Sequence, residues 1–251
     1  MSTWTGVGRS EIGLVRKLNQ DAFAVLNEVG VWAVADGMGG HVGGEIAAQT
    51  AIATIQAEAA ASRAQLGNGQ ASPTDVLTDL IGRAHDAILN RARSKSKLKG
   101  MGTTIVVLAI VDGAAPIAYL AHVGDSRAYR FRSGTLTLLT KDHSLIEKYL
   151  ERGILTPETA KTHPERHVLT RALGVGSTVT PTITAFPILP EDLIVLCSDG
   201  LTKMLEDEDI QAVLAAGEFD PTHACNRLIT AALDRGGEDN VTVVVVASRA
   251  S

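Results

Sequence analysis

The sequence predicts an α+β fold, and three observations carry that prediction. Strand-like runs follow one another instead of alternating singly with helices, short Gly-containing turns join several of them, and two long helical segments stand together as a block. Strands joined by short turns pair antiparallel.

The first strands are DAFAVL and VWAVAD. Helical patterning follows over residues 44 to 61 and 74 to 95, interrupted by the Gly-, Ser- and Gln-rich loop SRAQLGNGQAS. A second group of strands comprises TTIVVLAIV, PIAYLAHVG, SRAYRFR and TLTLL, with turns at Asp112-Gly113 and Ser133-Gly134. After His143 the stretch SLIEKYLERGILTPETAKTHPERH is charged and helical, and a mobile insert is expected at about residues 144 to 170. Strand returns in TVTPTITAFP and DLIVLCSD, a helix is expected at about 221 to 235, and NVTVVVVAS closes the chain as a strand. No internal repeat is present, and the 251 residues, 45% apolar and 20% charged, are expected to form one domain, 1–251.

A net charge of −5 argues against nucleic acid as a partner, because phosphate backbones reward an excess of Lys and Arg. The longest apolar runs, IVVLAIV and VTVVVVA, are far too short to span a bilayer, and MSTWTGVGRSE lacks the basic cap and apolar stretch of an export signal. No membrane partner and a cytoplasmic location are therefore expected. Cys197 and Cys225 have no metal or redox spacing, and Cys197, inside an apolar strand, reads as a buried small side chain.

The stretch VADGMGGHVGGE ends an apolar run with an acid and then places five glycines in eight residues. It is not a P-loop, since Gly44 is followed by Glu45 where that loop needs Lys and Ser or Thr. It is not a dinucleotide loop, since Val42 takes the sixth place. The glycines alone read as a turn before a helix.

Asp36 is different, because the same device recurs. LAHVGD ends at Asp125, LIVLCSD at Asp199, Asp239 precedes the last strand and Asp21 opens DAFAVL. One acid at a strand end is ordinary turn chemistry. Five of them, if brought to one edge of a sandwich, would repel and take up protons unless cations neutralised them. Oxygen ligands select hard ions such as Mg²⁺ or Mn²⁺, and a pair of such ions lowers the pKa of water enough to make a nucleophile for phosphate esters. Gly37 then gains a purpose, with its carbonyl free to coordinate.

Read in order, GLVRKLNQDAF, VADGMGGHVGGE, GMGTT, HVGDSRAYR, LTKDHS, HVLTRALG, LCSDGL and GGEDNVTVVVV closely resemble the metal-dependent protein phosphatases, the PPM or type 2C serine/threonine family, in their compact bacterial form. The matches run from residue 13 to 246. The resemblance implies a four-layer α-β-β-α sandwich, two antiparallel sheets flanked by paired helices, with a metal centre at one edge. It implies that Asp36 bridges two ions, that the Gly37 backbone oxygen binds one, that Asp199 and Asp239 bind the other, and that Asp21 acts through water. Asp125 with Asp199 matches the site of a weaker third ion.

Arg16 matches the family's phosphate-binding arginine, and a guanidinium suits two phosphate oxygens. Asn240 is a candidate orienter of Asp239. The implied reaction is direct attack of metal-bound hydroxide on phosphorus. Where some members carry a histidine two residues after the bridging aspartate, this chain has Met38, and His41 is the nearest substitute as proton donor. The insert corresponds to the flap of bacterial members. HPERH lacks the zincin order and Pro164 breaks its helix, so His163 and His167 are assigned no metal. Met101 to Thr104 read as strand-entry packing. The implied partners are phosphorylated proteins and an opposing serine/threonine kinase, with a monomer expected. Two alternatives remain open: a noncatalytic phosphoprotein-binding module of this fold, and a hydrolase of small phosphate esters.

Overall fold

The structure, a computed structural model, describes residues 4–38, 43–69, 71–217 and 219–248. One antiparallel sheet runs in the order β1 (Trp4–Glu11), β11 (Val241–Ser248), β10 (Leu193–Cys197), β7 (Arg127–Arg132), β8 (Thr135–Leu138). The other runs β2 (Asp21–Leu26), β3 (Val31–Met38), β5 (Ile105–Val111), β6 (Ile117–Val123), β9 (Thr182–Pro187), with the two-residue β4 (Gly102–Thr103) beside β3.

Side chains alternate faces along a strand, and here both faces are covered. Val244 and Val246 of β11, Ile194 and Leu196 of β10, Trp32 and Val34 of β3, and Val106 and Leu108 of β5 meet between the sheets. The odd residues Val243 and Val245 turn outward onto α7 (Pro221–Asp234). Val31, Ala33 and Ala35 turn outward onto α1 (Gly43–Asn68), which packs on α2 (Pro73–Ser94). Burial on both faces explains why VTVVVVA and IVVLAIV are unbroken apolar runs. Each such Val or Ile contributes about 1.5–3 kcal/mol. The four-layer α-β-β-α sandwich implied by the resemblance is the architecture observed.

The expected strands and the three long helices form, but α1 runs on to Asn68, so most of SRAQLGNGQAS, expected as a loop, is helix, with Leu66 buried in the core. The turn residues Ser133 and Gly134 both take positive φ, 50° and 82°, as a two-residue hairpin requires. Two of the elements that were not expected show why. In WTGVGRSE of β1, Gly6 and Gly8 mask the strand pattern, yet a Cβ on Gly6 would lie 2.2 Å from Trp32 Nε1 and one on Gly8 2.4 Å from Phe23 Cε2. The glycines make room for aromatics of the opposite sheet. The second is α6 (Asp207–Ala215), too short to show a helical period, whose start is capped by Glu206 and Asp209. The charged segment after His143 forms two short helices, α3 (Leu145–Glu151) and α4 (Pro157–Lys161).

Candidate metal centre

The alternation that fills the sandwich also builds its polar end. Trp32 and Val34 face inward on β3, and Asp36 follows them on the same face. On β2 the inward residues are Phe23 and Val25, so Asp21 faces inward, directly opposite Asp36 in register. Continuing the inward rows of β10 and β11 brings Ser198 and Thr242 to the same end, and their hydroxyls each donate to Asp21 Oδ2 at 2.7 Å. Behind them Asn19 Nδ2 donates to Ser10 Oγ at 2.8 Å, and the Ser10 and Thr242 hydroxyls lie 2.7 Å apart. The apolar stripe of each strand thus ends in a polar group at one edge.

Asp36 is fastened through its backbone. Its N–H donates to Thr104 Oγ1 at 3.0 Å, and its carbonyl accepts from Thr104 N at 2.9 Å and from Thr103 Oγ1 at 2.8 Å. The segment expected only as packing therefore holds the central acid in place. A Cβ on Gly37 would lie 2.2 Å from the Gly44 carbonyl oxygen, so only glycine lets the start of α1 approach this closely.

Asp239 opens β11 from the other side. Arg16 grips it with two bonds, Nε to Oδ1 at 2.8 Å and Nη2 to Oδ2 at 2.9 Å. Asn240 donates its backbone N–H to Asp239 Oδ1 at 2.9 Å, as an orienter would. Its side chain does something not foreseen: Nδ2 donates to the carbonyls of Ile12 and Leu18, both at 2.9 Å, and Oδ1 accepts from Gln20 N at 2.8 Å. Gly13, at φ 79°, packs where a Cβ would lie 2.2 Å from the Asp239 carbonyl oxygen. Together they seat the loop that carries Arg16.

Arg16, Asp36, Gly37, Asp125, Asp199 and Asp239 line one cleft of about 420 Å³, with Asp21 behind Asp36. His41 lies outside the described residues. A second cavity of about 420 Å³ shares Met38 and Leu169 with this cleft but holds none of the acids. Sequence reasoning weighed His167 only as a zinc ligand and set it aside; the structure puts it in the wall of the acid cleft. His163 instead meets Tyr149 edge to face. The Pro between them was the signal that the two do not act as a pair. Lys203, also unforeseen, places Nζ 2.6 Å from Asp199 Oδ2 and 2.8 Å from Asp239 Oδ2.

The electrostatics are those of crowded acids. Burial raises Asp21 to about 7, opposed by its two hydroxyl bonds and reinforced by Asp199 and Asp239. Burial also raises Asp125 to about 7, helped by Asp199 and Asp142. Asp36 goes well above the usual carboxylate range through burial, then repulsion from Asp21, Asp199 and Asp125. Asp239 behaves differently: burial pushes it up, but Lys203 and Arg16 together draw it below its ordinary value.

This donor set fits divalent cations. It is all oxygen, three of its acids are destabilised as anions by burial and then by neighbouring carboxylates, and Asp199 Oδ1 is buried with no hydrogen-bond partner. Among the described residues no three His, Cys, Asp or Glu side chains yet converge as a finished ion cage. Oxygens of Asp199 and Asp239 instead pair with Lys203 and Arg16.

Comparison with known proteins gives the same reading. Residues 8–232 match the family model described as protein phosphatase 2C. The chain is 38% identical over 240 residues to the serine/threonine protein phosphatase PstP of Mycobacterium tuberculosis, covering 94% of this chain and 43% of that protein. It therefore spans less than half the length of that relative. It is 34% identical to the serine/threonine phosphatase stp of Listeria welshimeri, covering 95% of this chain and 93% of the other. The crystal structure of M. tuberculosis PstP superposes with a TM-score of 0.86 at 35% identity, covering 98% and 99% of the two chains. The PstP catalytic domain in complex with two manganese ions superposes at 0.79, also 35% identical, with 97% of each chain covered.

Proposed function

We propose, since the chain belongs to the protein phosphatase 2C family, that it is a divalent-cation-dependent phosphatase removing phosphate from phosphoserine and phosphothreonine in proteins. The observation that carries this reading is the convergence of Arg16 and the strand-end acids on one cleft. Asp36, the Gly37 carbonyl, Asp199 and Asp239 would hold two Mg²⁺ or Mn²⁺ ions, with Asp21 acting through water and Asp125 with Asp199 taking a weaker third. Bound there, the ions supply Lewis acidity that lowers the pKa of water and offsets phosphoryl charge.

The chain's own residues do the rest. A guanidinium has five N–H donors, and the grip on Asp239 commits two of Arg16's, aiming the group at the cleft where phosphate oxygens would sit. Ser198 and Thr242 keep Asp21 oriented, and the Thr103 and Thr104 clamp keeps Asp36 from moving as charge changes beside it. His41 is our proposed proton donor to the leaving serine or threonine oxygen. The segment at about 144–170, which brings His167 and Leu169 to the cleft wall, is the proposed flap. No helix of the described residues is long and apolar enough to cross a membrane. We take phosphoproteins made by an opposing serine/threonine kinase as substrates, and a cytoplasmic monomer without nucleic acid as the working form.

The test is hydrolysis of a phosphothreonine peptide with Mn²⁺. Wild type should turn over, excess chelator should stop it, and Asp36→Ala should cost more than the roughly 10–100-fold that losing an outer-sphere partner costs. Absence of wild-type turnover, or full activity in Asp36→Ala, would overturn the proposal. A kcat/KM favouring a small phosphate ester over the peptide would support the small-molecule alternative instead.

A further inference from the structure

Lys203 is the C-terminal neighbour of the single-turn helix α5 (Asp199–Thr202), and its backbone N–H bonds to the Asp199 carbonyl at 2.8 Å. That turn folds the side chain back along the helix, so the ammonium meets the carboxylate four residues earlier. It meets a second one at the same time. Nζ lies 2.6 Å from Asp199 Oδ2 and 2.8 Å from Asp239 Oδ2, with the side chain only 29% exposed. Asp199 begins α5 just after β10 and Asp239 lies just before β11, so the ammonium joins two acids held by different elements.

A point charge with three donors is what a cation site between two carboxylates accepts. One oxygen of each acid is therefore already satisfied, while Asp199 Oδ1 stays buried and unpartnered. A divalent ion reaching this pair must first displace the ammonium, and the displaced charge then stands beside the ion and repels it.

We propose that Lys203 is a built-in competitor for the divalent cation at the Asp199–Asp239 pair, holding the two acids together before the ion arrives and weakening its binding. The inference rests on the metal-centre reading of this cleft. Its consequence is that half-occupancy at this pair needs a higher free cation concentration than an uncontested pair would.

Calorimetric titration of the metal-free protein with Mn²⁺ tests this, using wild type, Lys203→Met, Lys203→Gln and Lys203→Arg. Lys203→Met and Lys203→Gln should bind the ion at the Asp199–Asp239 pair at least about tenfold more tightly, and Lys203→Arg, which keeps the charge, should stay within about threefold of wild type. Thermal unfolding without metal should show the two neutral variants less stable than wild type, with the loss regained on adding Mn²⁺. The glutamine variant, able to hydrogen-bond both acids, guards against a folding failure of the methionine variant. Unchanged or weaker Mn²⁺ binding in both neutral variants, with wild type still binding and dephosphorylating, overturns the role of Lys203 alone. No Mn²⁺ binding in any of the four proteins overturns both the competitor and the metal centre.

Discussion

Asp21 and Asp36 oppose each other across β2 and β3, and one wall of the centre is thereby set by strand register. A one-residue slip of either strand would send its carboxylate to the outer face. Asn240 has the same reach at the level of a single side chain, since its amide satisfies two carbonyls and one N–H of the loop from Ile12 to Gln20. Asn240→Ala leaves those groups without their partner and should cost about 1–3 kcal/mol, read as a lowered urea midpoint. Activity should fall with it, because the loop carries Arg16. Arg16→Lys keeps the charge but not the planar fork, and it should raise KM for a phosphopeptide more than it lowers kcat. An unchanged KM would argue that Arg16 serves Asp239 alone.

Among the elements, β1 owes its place to absent side chains. Gly6→Val puts a Cβ into the Trp32 indole, whose Nε1 already donates to Asn27 Oδ1 at 2.9 Å. Overpacking of this kind costs about 1–3 kcal/mol, and a urea midpoint equal to wild type would refute the fit described here. Where β6 meets the segment leading to α3, His122 and His143 stack with centroids 4.6 Å apart. Gly124 N donates to His143 Nδ1 at 3.2 Å, and His143 Nε2 lies 2.9 Å from Thr182 Oγ1. Burial lowers both histidines, His143 to about 3 with His122 and Arg171 adding to the effect. The fold thus prefers them neutral. Their contribution is complete above the unfolded value of about 6.5, and each unit of pH below it loses up to about 1.4 kcal/mol per histidine until the folded value is reached. Protonation of the raised acids Asp21, Asp36 and Asp125 works the other way over the same range, so the histidine contribution is read as a difference: between neutral pH and about pH 5 the urea midpoint of wild type should drop relative to that of His143→Gln.

For the whole molecule, one edge of the sandwich carries acids that the fold assembles against their own repulsion. Cations that bind only the folded chain should therefore stabilise it by mass action. At about 100-fold excess over Kd, Mn²⁺ should raise Tm by roughly 5–10 °C, and chelator should reverse the shift. The sequence by itself determined most of the elements and their faces, though not β1 or α6, because period-two and helical patterns are local: Val243 to Val246 declare a strand buried on both sides without reference to any other residue. It also singled out Asp21, Asp36, Asp125, Asp199 and Asp239 as candidates, since each lies at or near a strand end where a carboxylate needs a reason. Only the tertiary structure decided who meets whom. That β1 lies on β11, that His167 faces the acids while His163 turns to Tyr149, and that Lys203 at the end of α5 reaches Asp239 ahead of β11 are all contacts between distant positions. Alternation along a strand says which way a side chain points but not which strand lies opposite. That choice is made when two sheets bury one shared interior, and the charges at its edge take the partners the packing brings them.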